Sequence, residues 1–403
     1  GKYLLVGQFQ GTAPYATFLY YFDGSSLTLK DSFIKDGIVS SVAWDPTGNY
    51  AIIGSGDKTV ATQNSFYICE FDRTTETLFE IPGATVFADV VYYSRGCWFP
   101  DGDRFAISGR SDFKVFDWNG KPLQQASEMN VDQADGSYVE SVRWSPSGNH
   151  LAVGMYQGGS VGVNVYKFDS NNTLELLHGT QIDYGSAVYA VDWSPDGNFL
   201  AVGGNTPDNG HELQVYRFNR QSSLCLTTSV DYGSYVQILR WSPNGNNLAI
   251  GGCGPTDGNE LQIYTLNPID HLEDIVCCTG ASYGTAVRGI DWSPDGNYLA
   301  VGGEGPTSEN ELQIYSFNST TSVLTLKDSE DFGQAIYDVA WSSTGNYILI
   351  GGKIPTEVDG EIQVYYFNGT SLEFKAKADF GDVDSRVRAV DWSPDNHYVA
   401  VGG

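Results

Sequence analysis

Along most of the chain, apolar and polar positions alternate for a few residues, stop at Gly, Pro, Asn or Asp, and start again. VYAVDW (188–193) alternates, FLAVGG (199–204) is a short apolar run, ELQVYRF (212–218) alternates again, and SLCLTTS (223–229) adds a fourth segment. Short runs rich in β-branched and aromatic residues between turn formers read as strands. No segment sustains a helical period. The pattern predicts four-stranded antiparallel meanders, whose strands are called a, b, c and d in order.

The meander recurs. VDWSPDGNFLAVGG (191–204) returns as IDWSPDGNYLAVGG (290–303), and Trp44, Trp98, Trp144, Trp193, Trp241, Trp292, Trp341 and Trp392 mark eight copies spaced 46 to 54 residues apart. A period near fifty residues means that each copy is one supersecondary unit. The a–b connection W-S-P-D-G is a turn in which Pro sets φ and Gly supplies positive φ. Gly48, Gly102 and Gly345 close its variants, and Asn396 takes the place of Gly in the last copy. Asp23, Asp72, Asn119, Asp169, Asn219, Asn267, Asn318 and Asn368 mark the c–d hairpin turns.

One such meander cannot bury both its faces, whereas radial stacking buries a continuous core and leaves only short edges. The expected fold is all-β: a single β-propeller over residues 1–403, with the Trp of each copy packed between neighbouring blades. Eight blades fit the repeats, and seven would strand most of a blade. The chain opens on a b strand, KYLLVG (2–7), and closes on another, HYVAVGG (397–403). The ring is therefore expected to close with strands from both ends, leaving one b strand surplus.

The unit IDWSPDGNYLAVGG, followed by ELQIYSFN (311–318), resembles the WD40 and WD40-like (TolB-type) propeller repeats. The resemblance runs from Tyr3 to Gly403 and implies a propeller that acts as a protein-interaction module. The Gly-His and Trp-Asp dipeptides of WD40 repeats are missing from their usual places, and D-Y-G or D-F-G stands where Gly-His would fall. The hydrogen-bonded His–Asp network of that family is therefore not available here.

Composition narrows the partners. The net charge is −27 and the pI about 4.3, which repels nucleic acid and anionic membranes and attracts basic surfaces. No apolar run is long enough for a membrane-spanning helix, so no membrane insertion is expected. Six cysteines show no CxxC pair. The five histidines are dispersed, and neither HExxH nor GxSxG occurs. DFG at 331–333 has siblings at 183–185, 231–233 and 379–381, which makes it a repeated loop and not a kinase motif. The start at Gly1 reads as a processed or excised chain, and the Asn, Thr and Tyr content favours an extracytoplasmic surface.

The d–a and b–c loops of a meander emerge on one face. That face should carry Asp183, Tyr184, Asp231, Tyr232, Tyr283, Asp331, Phe332, Asp379 and Phe380 from the d–a loops. The b–c loops NTPDNGHE (205–212), CGPTDGNE (253–260), EGPTSENE (304–311) and KIPTEVDGE (353–361) add Asp208, Glu212, Asp257, Glu260, Glu311, Asp359 and Glu361. These residues are read as a face for other proteins, for a second copy of the chain, or for a basic or glycan ligand. Turn chemistry alone also demands these residue types. No cofactor is implied. A calcium ion on Asp257, Asn259 and Glu260 is a narrower version of the same reading, although the spacing matches no EF-hand.

Sequons at Asn171, Asn318 and Asn368 lie in c–d turns on the opposite face, as glycosylation acceptors if the protein is exported. No catalytic set is visible, so a non-enzymatic module is expected; an enzyme or small-ligand site in the central channel is the competing class. The loop-rich later blades look nearly uniform, with no one-off cluster. The irregular stretch 84–138 is the best place for a singular function.

Overall fold

The computed structural model describes residues 3–7, 16–34, 38–56, 65–81, 86–87, 95–108, 112–118, 124–130, 138–156, 162–169, 173–205, 207, 210–254, 258–266, 275–305, 310–354, 360–379, 386–392 and 398–402. Every regular element among them is a β-strand. The a strands are Ile38–Trp44, Arg95–Trp98, Tyr138–Trp144, Val188–Trp193, Tyr235–Trp241, Ala286–Trp292, Ala335–Trp341 and Ala389–Trp392. Each touches the next, and the last touches the first, so these eight strands form a closed inner ring. The b, c and d strands extend outward from each as an antiparallel meander. The blades are numbered one to eight in the order of these a strands.

Blade eight closes the ring with both ends of the chain. Its strand order is Leu27–Ile34, Ala16–Phe22, Tyr3–Gly7, Tyr398–Gly402, Ala389–Trp392. The surplus b strand is thus not expelled. Tyr3–Gly7 lies parallel to Tyr398–Gly402, with Leu4 opposite Val399, and antiparallel to Ala16–Phe22. Both copies of the b sequence are apolar enough to be covered on two faces, so the blade takes in five strands where the sequence pattern predicted four.

The repeated letters make the seams between blades. In the W-S-P-D-G turn of blade four, Ser194 Oγ accepts the Phe199 N–H at 2.9 Å and donates to Asp196 at 2.6 Å. Gly197 closes the turn at φ +69°. The Trp indole crosses the seam as expected: Trp193 Nε1 donates to the Arg143 carbonyl at 3.2 Å, Trp241 to Asp192, Trp292 to Arg240 and Trp392 to Ala340. The paired glycines that end strand b are a packing device. A Cβ on Gly203, Gly251 or Gly302 would collide with Val236, Val287 or Ile336 of the next blade's inner strand, and one on Gly351 with Val387 and Val390 of blade eight.

Candidate functional site

The face carrying the d–a and b–c loops holds the candidate residues, and the structure divides them into two sets. Tyr184, Tyr232, Tyr283 and Phe332 are buried, as are Glu212, Glu260, Glu311 and Glu361; Tyr184 is only 1% exposed and Glu260 3%. These eight do not form an exposed face. They join blades. Glu212 Oε2 accepts the N–H groups of Tyr232 (2.7 Å) and Gly233 (3.2 Å), Glu260 those of Tyr283 and Gly284, and Glu311 those of Phe332 and Gly333.

Each Tyr hydroxyl then reaches the next blade. Tyr184 donates to the Glu212 carbonyl and Tyr232 to that of Glu260, both at 2.7 Å, and Tyr283 donates to that of Glu311. The second Gly of each pair makes room, because a Cβ on Gly252 or Gly303 would meet the Tyr232 or Tyr283 ring and a neighbouring carbonyl. Burial, then the adjacent Glu212, pushes the Tyr184 hydroxyl far above its usual range. This Glu–Tyr relay fills the structural place that a His–Asp network would fill.

Asp183, Asp231, Asp331 and Asp379 are exposed and remain on the surface. Asp183 accepts the Gly185 N–H at 3.1 Å, which fixes its turn. Asp208, Asp257, Asp359, Phe380 and Asn171 lie outside the described residues. Glu260 spends its carboxylate on two backbone N–H groups, which removes it from a calcium shell. Among the described residues, no group of three His, Cys, Asp or Glu side chains could hold a metal ion. Asn318 and Asn368 sit at exposed turns, where their side-chain oxygens accept the N–H groups of Thr320 and Thr370.

A second set of residues, not legible as a site in the sequence, lies nearer the axis. In six blades the a–b ladder carries a β-bulge at the same point, where one extra inner-strand residue falls outside the a–b register. Those residues are Ser40, Glu140, Tyr189, Gln237, Arg288 and Tyr337. The residue before the bulge is Val or Ile in all six, whereas the bulge residue changes chemistry from blade to blade. Bulges re-aim side chains, often beside binding sites.

Here they sit toward the loop end of the inner ring. The Tyr189 ring meets Tyr235 of the next blade edge-on at 6.2 Å. The Arg288 guanidinium lies 5.7 Å from the Tyr337 ring centre and pairs with Glu304 at 2.7 Å. Arg388 holds the aligned position in blade eight and is exposed. The uniformity expected of the later blades therefore fails along the inner strands, this position included.

Below this mouth, the residue before each Trp lines the axis: Ala43, Cys97, Arg143, Asp192, Arg240, Asp291, Ala340 and Asp391. Asp338 adds a further carboxylate one inward position earlier on blade seven. Burial raises the Asp192 carboxyl, against the pull of Arg240 and Arg143. Burial also pushes Asp291 up to about 7, with Asp338 adding to it and the Trp341 N–H and Arg240 opposing. Asp391 is exposed at its own surface, yet the mass of protein around it, then Asp291 and Asp338, pushes its carboxyl up to about 7.

A closed ring of meanders, with Trp and Gly packed into successive seams, defines a repeat β-propeller. The family described as "WD domain, G-beta repeat" matches residues 26–61 and 377–403, and that described as "Eukaryotic translation initiation factor eIF2A" matches 176–330 and 209–383. On these matches and on the fold, the chain belongs to the WD40-like repeat propellers.

No curated protein matches the chain at significant similarity. Among solved structures, Sqt1 from Chaetomium thermophilum bound to the N-terminus of ribosomal protein L10 is similar at 18% identity and a TM-score of 0.64, over 91% of this chain and 94% of Sqt1. The C-terminal WD40 domain of Sif2 is similar at 14% identity and a TM-score of 0.64, over 91% and 93%. The Pseudomonas aeruginosa periplasmic gluconolactonase PpgL is similar at 19% and 0.59, over 83% and 97%. At these identities the likeness shows the fold.

Proposed function

We propose that the chain is a rigid, non-enzymatic protein-interaction module, which engages its partner at the axial mouth through the bulge residues. The observation that carries this reading is the change of chemistry at Glu140, Tyr189, Gln237, Arg288 and Tyr337, which share one bulged position at the loop end of the inner ring. Tyr and Arg are the side chains that most often anchor protein interfaces. The exposed Asp183, Asp231, Asp331 and Asp379 lie outside this mouth, so the partner segment that fits best carries an anchor for the tyrosines and basic residues for the outer carboxylates. The Sqt1 complex, a propeller of this fold holding a protein segment, supports the same reading.

The test is selection of peptides from a displayed random library on the purified protein. The comparison protein carries Tyr189→Ser, Gln237→Ser, Arg288→Ser and Tyr337→Ser, because Ser40 already occupies a bulge in blade one. Enrichment on the wild type that is lost on the folded variant supports the proposal. Equal enrichment on both places the interface elsewhere. Turnover of a sugar lactone by the wild type, with no peptide enriched, favours the enzyme class that the gluconolactonase likeness raises.

A further inference from the structure

Blade eight holds two b strands where the other blades each have one, and the register shows that both fit the same place. In blade four a single b residue, Leu200, stands between Trp193 of strand a and Tyr216 of strand c. Leu299 does the same between Trp292 and Tyr315 in blade six. In blade eight this place is filled twice. Val399 pairs with Trp392, Leu4 pairs with Tyr20, and Leu4 and Val399 pair with each other. One step along, Ala400 pairs with Asp391 and Leu5 with Leu19, again side by side, where blade four has Ala201 alone between Asp192 and Val215.

Direction agrees with register. Tyr3–Gly7 runs parallel to Tyr398–Gly402, and each runs antiparallel to its other neighbour. If one b strand steps aside, the other can therefore close on the vacated neighbour as an ordinary antiparallel strand. Trp392, one b residue and Tyr20 would then stand in the row that Trp193, Leu200 and Tyr216 make in blade four. At the turn end little would have to move: Phe22 of strand c meets the Trp392 ring at 6.3 Å, much as Phe317 meets Trp292 at 5.9 Å. The junction between the two b strands is also the one parallel ladder among the described strands, and parallel pairing is the weaker kind. The extra ladder and its burial favour holding both strands, whereas the freedom regained by a released strand favours holding one.

We propose that blade eight is an exchangeable clasp: Tyr3–Gly7 and Tyr398–Gly402 are alternative fillings of one b position, and either closes the ring alone and sets the other free. The five-stranded order is the joint form that holds both. The ring thus changes which segment it displays without opening, because Ala389–Trp392 and Ala16–Phe22 stay joined through whichever b strand remains. The released segment, YLLVG or YVAVG, is a short apolar strand with both backbone edges unpaired. Such a segment is ready to pair with another sheet edge.

Amide hydrogen exchange on the full chain and its proline variants tests the clasp. Leu5→Pro and Ala400→Pro each put a residue that cannot join a central ladder into the middle of one b strand. Each single variant should lose protection in its own b strand, while protection of Ala16–Phe22 and Ala389–Trp392 stays within about threefold of the wild type. The double variant should lose about tenfold or more in both of those strands. Such a loss in either single variant, or its failure to fold, overturns the proposal. So does a double variant as well protected as the singles. The pair Tyr20→Cys and Val399→Cys reads exchange without proline. These positions lie two strands apart, roughly 9–10 Å, too far for a disulfide, and become neighbours only when Tyr3–Gly7 leaves. A disulfide between them on mild oxidation of the folded protein supports exchange, and thiols that stay free at both positions overturn it.

Discussion

The carboxylate of Glu260 and the backbone N–H of Tyr283 meet at 2.8 Å, and the same Tyr283 reaches across to the carbonyl of Glu311 in the next blade. One residue pair thus closes a turn within blade five and locks the seam to blade six. Charge-assisted bonds to a buried carboxylate are the stronger kind. Because Glu212, Glu260 and Glu311 repeat the arrangement, the hydrogen bonds run as a relay through successive blades.

Removing one carboxylate should therefore be costly. Glu260→Ala leaves two backbone N–H groups buried without an acceptor, which costs about 2–5 kcal/mol. Glu260→Gln keeps one oxygen as acceptor and should cost about 1–2 kcal/mol. Urea denaturation of both variants checks the order; equal losses would mean that the side chain serves as filler and not as an acceptor.

Phe332 interrupts the relay, since it holds the Tyr position without a hydroxyl. The carbonyl it would address, that of Glu361, already accepts the Gly352 N–H at 3.0 Å, just as the Glu260 carbonyl accepts both Gly252 N–H and Tyr232 hydroxyl. A carbonyl has two lone pairs. Phe332→Tyr should accordingly stabilise the protein by about 0.5–1.5 kcal/mol, and Tyr232→Phe should destabilise it by a similar amount. Thermal unfolding of the two variants side by side gives the comparison.

Glycine matters for different reasons at different sites. A Cβ on Gly252 would overlap the Tyr235 carbonyl, which the backbone cannot move aside, so Gly252→Ala should cost about 3 kcal/mol or more. Gly258, at φ +72° with open space around it, should lose only about 1 kcal/mol on change to Ala. Denaturant midpoints would show whether close approach outweighs backbone strain in this way.

His150 predicts a pH effect on stability. Burial, and then Lys167, lowers its pKa from 6.5 to about 4. Between those values the unfolded chain binds a proton that the native protein does not, so stability from this group grows as pH rises from 4 to 6.5 and then levels off. The stability difference between the wild type and His150→Gln should change across that window and stay flat above it. A constant difference would show that the ring acts only by packing on Phe218.

Much of the fold was legible because its causes are local. Pro195 and Gly197 make a turn wherever they occur, and the eight tryptophans keep count. The relay was half legible. Tyr232 and Tyr283 were visible as repeated loop aromatics, but a loop position does not say which way a ring points. The Glu that recurs 20 to 23 residues before each aromatic was the available signal. The bulge ring was not legible. A bulge is a property of register between two strands, so Tyr189 and Arg288 look in sequence like ordinary members of an alternating run. Aligning all blades on the Trp brings them into one column, but other columns of the inner strand vary as well. The parallel strand Tyr3–Gly7 depends on pairing across nearly the whole chain, which no local pattern encodes.

The bulges also separate two tasks that most binding surfaces combine. Many of the residues that hold the blades together are copied and buried, while those proposed to meet a partner are single letters set into the frame. Substituting at Glu140, Tyr189, Gln237, Arg288 and Tyr337 rewrites the message without disturbing the page, so this ring offers a small alphabet for engineering new recognition.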